Sequence, residues 1–110
     1  MPADATVSRS KHFQVGTSAY WLAIGLWDYV EVVNREDIGG NIVYFVVGDE
    51  STTAPTAAAD NTFVVLPGQA VRVRMPFPST TASTGASKTP AVKLIASGAS
   101  TDVSVTGFSE

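Results

Sequence analysis

His12, beside Lys11, is the only histidine, and the chain has no cysteine. Nucleophilic catalysis of the Ser-His-Asp or Cys-His kind needs a base gathered with a nucleophile and an orienting carboxylate. No motif around His12 supplies them, so it reads as an ordinary surface histidine. The carboxylates between the two ends of the chain are scattered: Asp28, Glu31, Glu36, Asp37, Asp49, Glu50, Asp60 and Asp102. The adjacent pairs among them, Glu36-Asp37 and Asp49-Glu50, fall in stretches that read as turns, where carboxylates are solvated or bond nearby backbone amides. Glycoside hydrolysis needs two carboxylates flanking one bond. A calcium loop needs acidic ligands at alternate positions, which are absent. The reading is a chain with no catalytic, cofactor or metal site, and not an enzyme.

Three other groupings carry weaker chemistry. Gly39-Gly40-Asn41 resembles a phosphate loop only in composition, because neither a GxxxxGK[ST] nor a GxGxxG frame surrounds it and a strand follows where a helix should start. Glycine and asparagine tolerate positive φ, so a tight connection is the simpler role. Arg72 and Arg74 share one face of a strand and could grip phosphate or carboxylate. The pattern Val-Arg-Val-Arg is also that of any half-exposed strand, and charges on an edge block unwanted pairing. Five of the ten aromatic residues, Phe13, Tyr20, Trp21, Trp27 and Tyr29, lie in the first 30 positions. Such a concentration suits a core, a protein-docking surface or a platform on which sugars stack.

The elements that must position these groups are strands. The chain has 110 residues, enough for one domain with its own core. Valine outnumbers leucine 15 to 4, and β-branched side chains favour pleated sheet over helix. Charged residues make up 15%, against about 25% in typical domains. Serine and threonine, 23 residues together, keep part of the surface wet, and a partner can cover the rest. A net charge of −3 disfavours nucleic-acid binding by counterion release. The start MPADATVSRSKHF lacks a basic then apolar leader. The longest apolar run, 42 to 47, is far too short to span a membrane.

Residues 1–12 read as a flexible N-terminal arm, and 13–110 as a single β domain. Extended structure is expected in 13–27, with Tyr20, Leu22, Ile24 and Leu26 on one face. Further strands are expected at 29–34, 42–47, 63–66, 71–75, 91–96 and 102–106. Residues 35–41 should close a β-hairpin, and Pro67-Gly68 and Ser97-Gly98-Ala99-Ser100 should be turns. One helical turn fits at 56–60. Val71, Val73 and Met75 should face inward, as should Val92, Leu94, Val103 and Val105. The low-complexity stretch 78–90 reads as a long loop. About seven short strands with turns between them imply an all-β, single-domain sandwich or jelly-roll-like fold.

From Tyr29 onward the layout is distinctive. VEVVNREDIGGNIVYFVVGD leads to the loop TTAPTAAADN, then FVVLPGQAVRVRMP, then AVKLIASGASTDVSVTG. An asparagine-bearing strand, an apolar strand ending in glycine, an Ala/Thr loop, an L-P-G corner and a closing A-S-G hairpin resemble small virion proteins of tailed bacteriophages. The likeness is to capsid decoration (cement) proteins and related head and tail accessory proteins, and it covers roughly residues 29 to 107. It implies a non-enzymatic β-sandwich, commonly a homotrimer, that binds the major capsid protein on the virion exterior and stabilises the shell after assembly in the host bacterial cytoplasm. No nucleic acid or membrane partner is implied. The contacts would come from Arg9 and Lys11 in the arm, from Phe13, Trp21 and Trp27 in the aromatic segment, from Arg72 and Arg74, and from Lys88 in the long loop. Val43, Phe45 and Val47 join them, because the run 42–47 is apolar on both faces and one face needs a cover from within the chain or from a neighbour. The alternative is a carbohydrate- or receptor-binding β module of a phage fibre or tail, with Trp21 or Trp27 on the ligand. A small β-barrel hydrolase or lyase finds no constellation to support it.

Overall fold

The computed structural model describes residues 5–7, 9–25, 27–49, 51–56, 62–76 and 90–109, and the side chains from Arg9 onward. Nine strands lie among them. They are β1 (Ala5–Val7), β2 (Ser10–Val15), β3 (Tyr20–Ile24), β4 (Tyr29–Asn34), β5 (Val43–Gly48), β6 (Phe63–Val65), β7 (Ala70–Arg74), β8 (Ala91–Ala96) and β9 (Thr101–Phe108). One sheet has the order β1-β3-β8-β5-β6 and the other β2-β9-β4-β7.

The pairing is nested. β2 pairs with β9, β3 with β8, β4 with β7 and β5 with β6, all antiparallel. This is one long hairpin of eight strands. Rolling it up brings β4 against β9 and β5 against β8, again antiparallel, which closes two four-stranded sheets face to face. The fold is a jelly roll. β1 is an addition, paired parallel to β3 at the edge of the first sheet.

Alternation explains how these residues find two layers. β4 and β9 bury every second residue, as a strand with one wet face must. Their inward residues Val30, Val32, Val103 and Val105 meet Leu22, Ile24, Val43, Phe45, Val65, Val92, Leu94 and Ala96 from the other sheet. Val15 and Met75 complete this core. Eight of these fourteen residues are valine, so the compositional bias reflects the two facing sheets. The expected inward sets on β8 and β9 hold, and Met75 is buried with Val71 and Val73 packed against the core.

Several expectations are corrected. The 1–12 arm does not stand as a unit, because Ala5–Val7 forms β1 and Ser10–His12 pairs with Ser104–Thr106. The segment 13–27 contributes to two strands in opposite sheets, which with β1 raises the count from seven to nine. Residues 35–41 do not close a hairpin, since β4 and β5 lie in different sheets. Pro67-Gly68 is the turn expected, closed by the Gln69 N–H on the Leu66 carbonyl at 2.9 Å, but it and the connection after β8 carry the chain from one sheet to the other. β5 and β6 are the sole described strands that are consecutive in the chain and paired. All but Thr56 of the helical turn expected at 56–60, and all but Pro90 of the 78–90 loop, lie outside the described residues.

Candidate protein-contact surface

The outer face of the second sheet is spent on its own cross-strand pairs. Register sets Glu31 opposite Arg72 and Tyr29 opposite Arg74. Arg72 Nη2 lies 3.6 Å from Glu31 Oε2, and its guanidinium sits 4.1 Å from the centre of the Phe108 ring. Arg74 donates to the Tyr29 hydroxyl and covers that ring at 4.7 Å. Gln14 Nε2 donates to Asp102 Oδ1 at 3.2 Å, and His12 Nε2 lies 3.9 Å from the same oxygen. His12 therefore has a carboxylate neighbour but sits on an exposed polar face. No grouping of three or more metal-ligating side chains occurs among the described residues.

The outer face of the first sheet is apolar. One cross-strand row runs Trp21, Lys93, Val46, and the next runs Ile95, Tyr44, Val64. Lys93 Nζ sits 5.2 Å from the Trp21 ring centre and donates to the Thr52 carbonyl at 2.6 Å. Its charge thus ties segment 51–56 to this face. Tyr44 and Ile95 are buried, while Trp21 and Val46 are half-buried.

This arrangement reassigns the expected contact residues. Val43 and Phe45 are fully buried in the core of the isolated chain, so neither can meet a partner. Val47 is half-buried and packs on the same core. The reason is geometric: these three point between the sheets, and Tyr44 and Val46 are the outward set. β3 does not lie over β5, because both belong to the same sheet with β8 between them. Phe13 stacks on Tyr20 at 5.0 Å. Trp27 lies so close over Gly107 that a Cβ there would come within 2.3 Å of its ring. Lys11 is half-buried, and Arg9 is exposed, with its carbonyl accepting the Gly107 N–H at 2.7 Å. Lys88 lies outside the described residues.

The structure gathers a different set. The large apolar residues that stand exposed among the described residues are Ile38, Phe63, Val64 and Leu66. Phe63, Val64 and Leu66 belong to β6 and its end, at the edge of the first sheet. Ile38 sits wholly exposed in the connection between β4 and β5. One buried side chain joins the two places. Asn34, at the end of β4, donates from Nδ2 to the carbonyls of Asn41 (2.8 Å) and Val65 (2.9 Å). Its Oδ1 accepts the Glu36 N–H at 3.0 Å. The loop is braced further: Glu36 Oε2 accepts the Asp102 N–H, Asn41 Nδ2 donates to Thr101 Oγ1, and the Gly40 N–H donates to Asp37 O at 2.8 Å. Gly39 at φ 89° supplies the left-handed step. Ile38 is thus displayed by a built loop.

β6 is not an open strand edge at its C-terminal end. Asn34 occupies the Val65 carbonyl, the Leu66 N–H donates to Gln69 Oε1 at 3.0 Å, and the Gln69 N–H returns to the Leu66 carbonyl at 2.9 Å. What it offers a partner there is side-chain surface more than backbone pairing. Two signals for this site were present in the sequence: an isoleucine inside a turn, and FVVL, which is apolar on both faces. No family model, curated protein or solved structure matches the chain.

Proposed function

We propose that this chain is a non-enzymatic structural protein of a bacteriophage virion, a head decoration (cement) protein. It binds the major capsid protein on the outside of the shell, associates with sister copies as a homotrimer, and stabilises the particle. The observation that carries this reading is the collection of exposed large apolar side chains on one braced edge of the jelly roll. Exposed apolar surface of this kind marks contact with another protein. The strand and turn layout from Tyr29 to Gly107 adds the virion context, and the jelly roll is an architecture that capsid domains use, though fold alone does not assign function.

A sugar platform gains less support. Stacking on a sugar needs an open aromatic face, and Lys93 lies over Trp21, Arg74 over Tyr29 and Arg72 over Phe108. Trp27 rests on Gly107.

The test is direct. Purified chain is added to capsids that lack it, and their melting temperature and co-sedimentation are followed. The expected result is saturable binding with a raised capsid melting temperature. Absence of the chain from intact particles by mass spectrometry, together with no capsid binding, would overturn the reading.

A further inference from the structure

We propose that the Ile38 turn is a docking element of this chain, and that Ile38 seats in an apolar pocket of a different protein, rimmed by one carboxylate and one cation. The inference rests on the decoration reading, under which that protein is the major capsid protein. It goes further by naming the side chains that dock and the chemistry that receives them.

Charge says what the partner must carry. Ile38 is wholly exposed, and Arg35 and Asp37 beside it are exposed too. On the second sheet, Arg72 is matched by Glu31 and His12 by Asp102. Among the described residues, Arg35 and Asp37 have no such ion pair. Their backbones are nevertheless held. The Arg35 N–H donates to the Asp102 carbonyl at 2.9 Å, and the Asp37 carbonyl accepts the Gly40 N–H at 2.8 Å. An apolar side chain set with a cation and an anion to spare is complemented by an apolar pocket with an acid and a base at its rim.

The same two charges argue against the chain's own apolar edge as the seat. Residues 62–71, which include Phe63, Val64 and Leu66, contain no charge. Packing the turn there would take Arg35 and Asp37 out of water with nothing to pair them, which is costly. A partner that brings its own acid and base avoids that cost.

Rigidity and access favour the turn as the docking element. Asn34, Glu36 and Asn41 hydrogen-bond within it and to β9, so little ordering entropy is lost on binding. The corners 16–19 and 97–100 lie next to the turn at the same end of the sandwich. The Ala96 N–H donates to the Gly16 carbonyl and the Ser97 N–H to the Ile42 carbonyl, both at 2.9 Å. These corners read GTSA and SGAS. Nothing in them is larger than threonine or charged, so neither holds a broad partner surface away from Ile38.

The experiment measures saturation binding of the full chain to capsids that lack it, by co-sedimentation. The variants are Ile38→Ala, Ile38→Asp, Arg35→Asp, Asp37→Arg and the last two combined in one chain, with urea unfolding to confirm that each is folded. Ile38→Ala should weaken binding at least about tenfold, as truncating an interface anchor does. Ile38→Asp and each charge reversal should weaken it by a similar factor or more. The combined reversal should stay weak, because the partner's charges do not change with it. In a contact between two copies both sides would reverse together and binding would return, so recovery by the combined variant would overturn the proposal in favour of a second copy. Capsid binding that survives Ile38→Asp would remove this inference alone and leave the decoration reading standing. A wild-type chain that binds no capsid would remove that reading, and this partner with it.

Discussion

At the level of single residues, polar groups inside the sandwich carry as much specification as apolar ones. Asn34 is fully buried and serves two carbonyls and one amide. Asn34→Ala should cost about 2–4 kcal/mol, since each buried group left without a partner costs about 1–3 kcal/mol. Urea denaturation measures it, and a loss under about 0.5 kcal/mol, the range of neutral surface changes, would mean the amide is not the clamp described. Phe45 is the largest fully buried side chain among the described residues, so Phe45→Ala should cost about 3–5 kcal/mol. Gly107 is required by close approach: Gly107→Ala must displace the Trp27 ring, with an expected cost of about 1–3 kcal/mol. A shift in the fluorescence of that variant would report the moved indole.

At the level of elements, the corners between sheets decide the architecture. Gly68, in the corner from β6 to β7, has φ 79° with open space around its missing Cβ. Gly68→Ala should therefore cost about 1–2 kcal/mol from the left-handed backbone alone. Gly68→Asn, which tolerates that conformation, should recover part of the loss in the same thermal melts. The arginines of β7 contrast with this. Arg72 is half exposed beside Glu31, and Arg72→Ala should lower stability by less than about 1 kcal/mol. A larger loss would show that its stacking on Phe108 matters more than its charge.

At the level of the whole molecule, the nested pairing makes the two ends of the chain interdependent. Ser10 pairs with Thr106 and Tyr29 with Phe108, so β9 lies between strands from the first third of the sequence. A chain ending before Thr101 loses the strand that joins β2 to β4. It should show no cooperative unfolding transition by circular dichroism, and a sigmoidal melt would refute that dependence. Removing residues 1–12 strips half of β2 and all of β1, so it should lower stability along with any effect on binding. Such long-range pairing also implies refolding on the millisecond-to-second scale typical of β-sandwiches, which stopped-flow fluorescence can measure.

Some of this was determined along the chain itself. Tyr29–Asn34 and Ala91–Ala96 were legible to the residue, and the inward faces of β8 and β9 followed from alternation, because side-chain direction in a strand depends only on parity. Strand partnership was not legible. The corners 66–69 and 97–100 have four residues each, and four extended residues reach about 13 Å, past the roughly 10 Å between stacked sheets. The same four residues can fold a strand back beside its neighbour or carry it to the opposite layer, and local chemistry does not choose. Which face of the two-sided run 42–47 was core depended on that choice, as did the exposure of Ile38 and FVVL. Core and surface on an apolar strand are settled by what the rest of the chain places on either side, and here the rolled pairing put Val43 and Phe45 inside and left the β6 edge without a described neighbour.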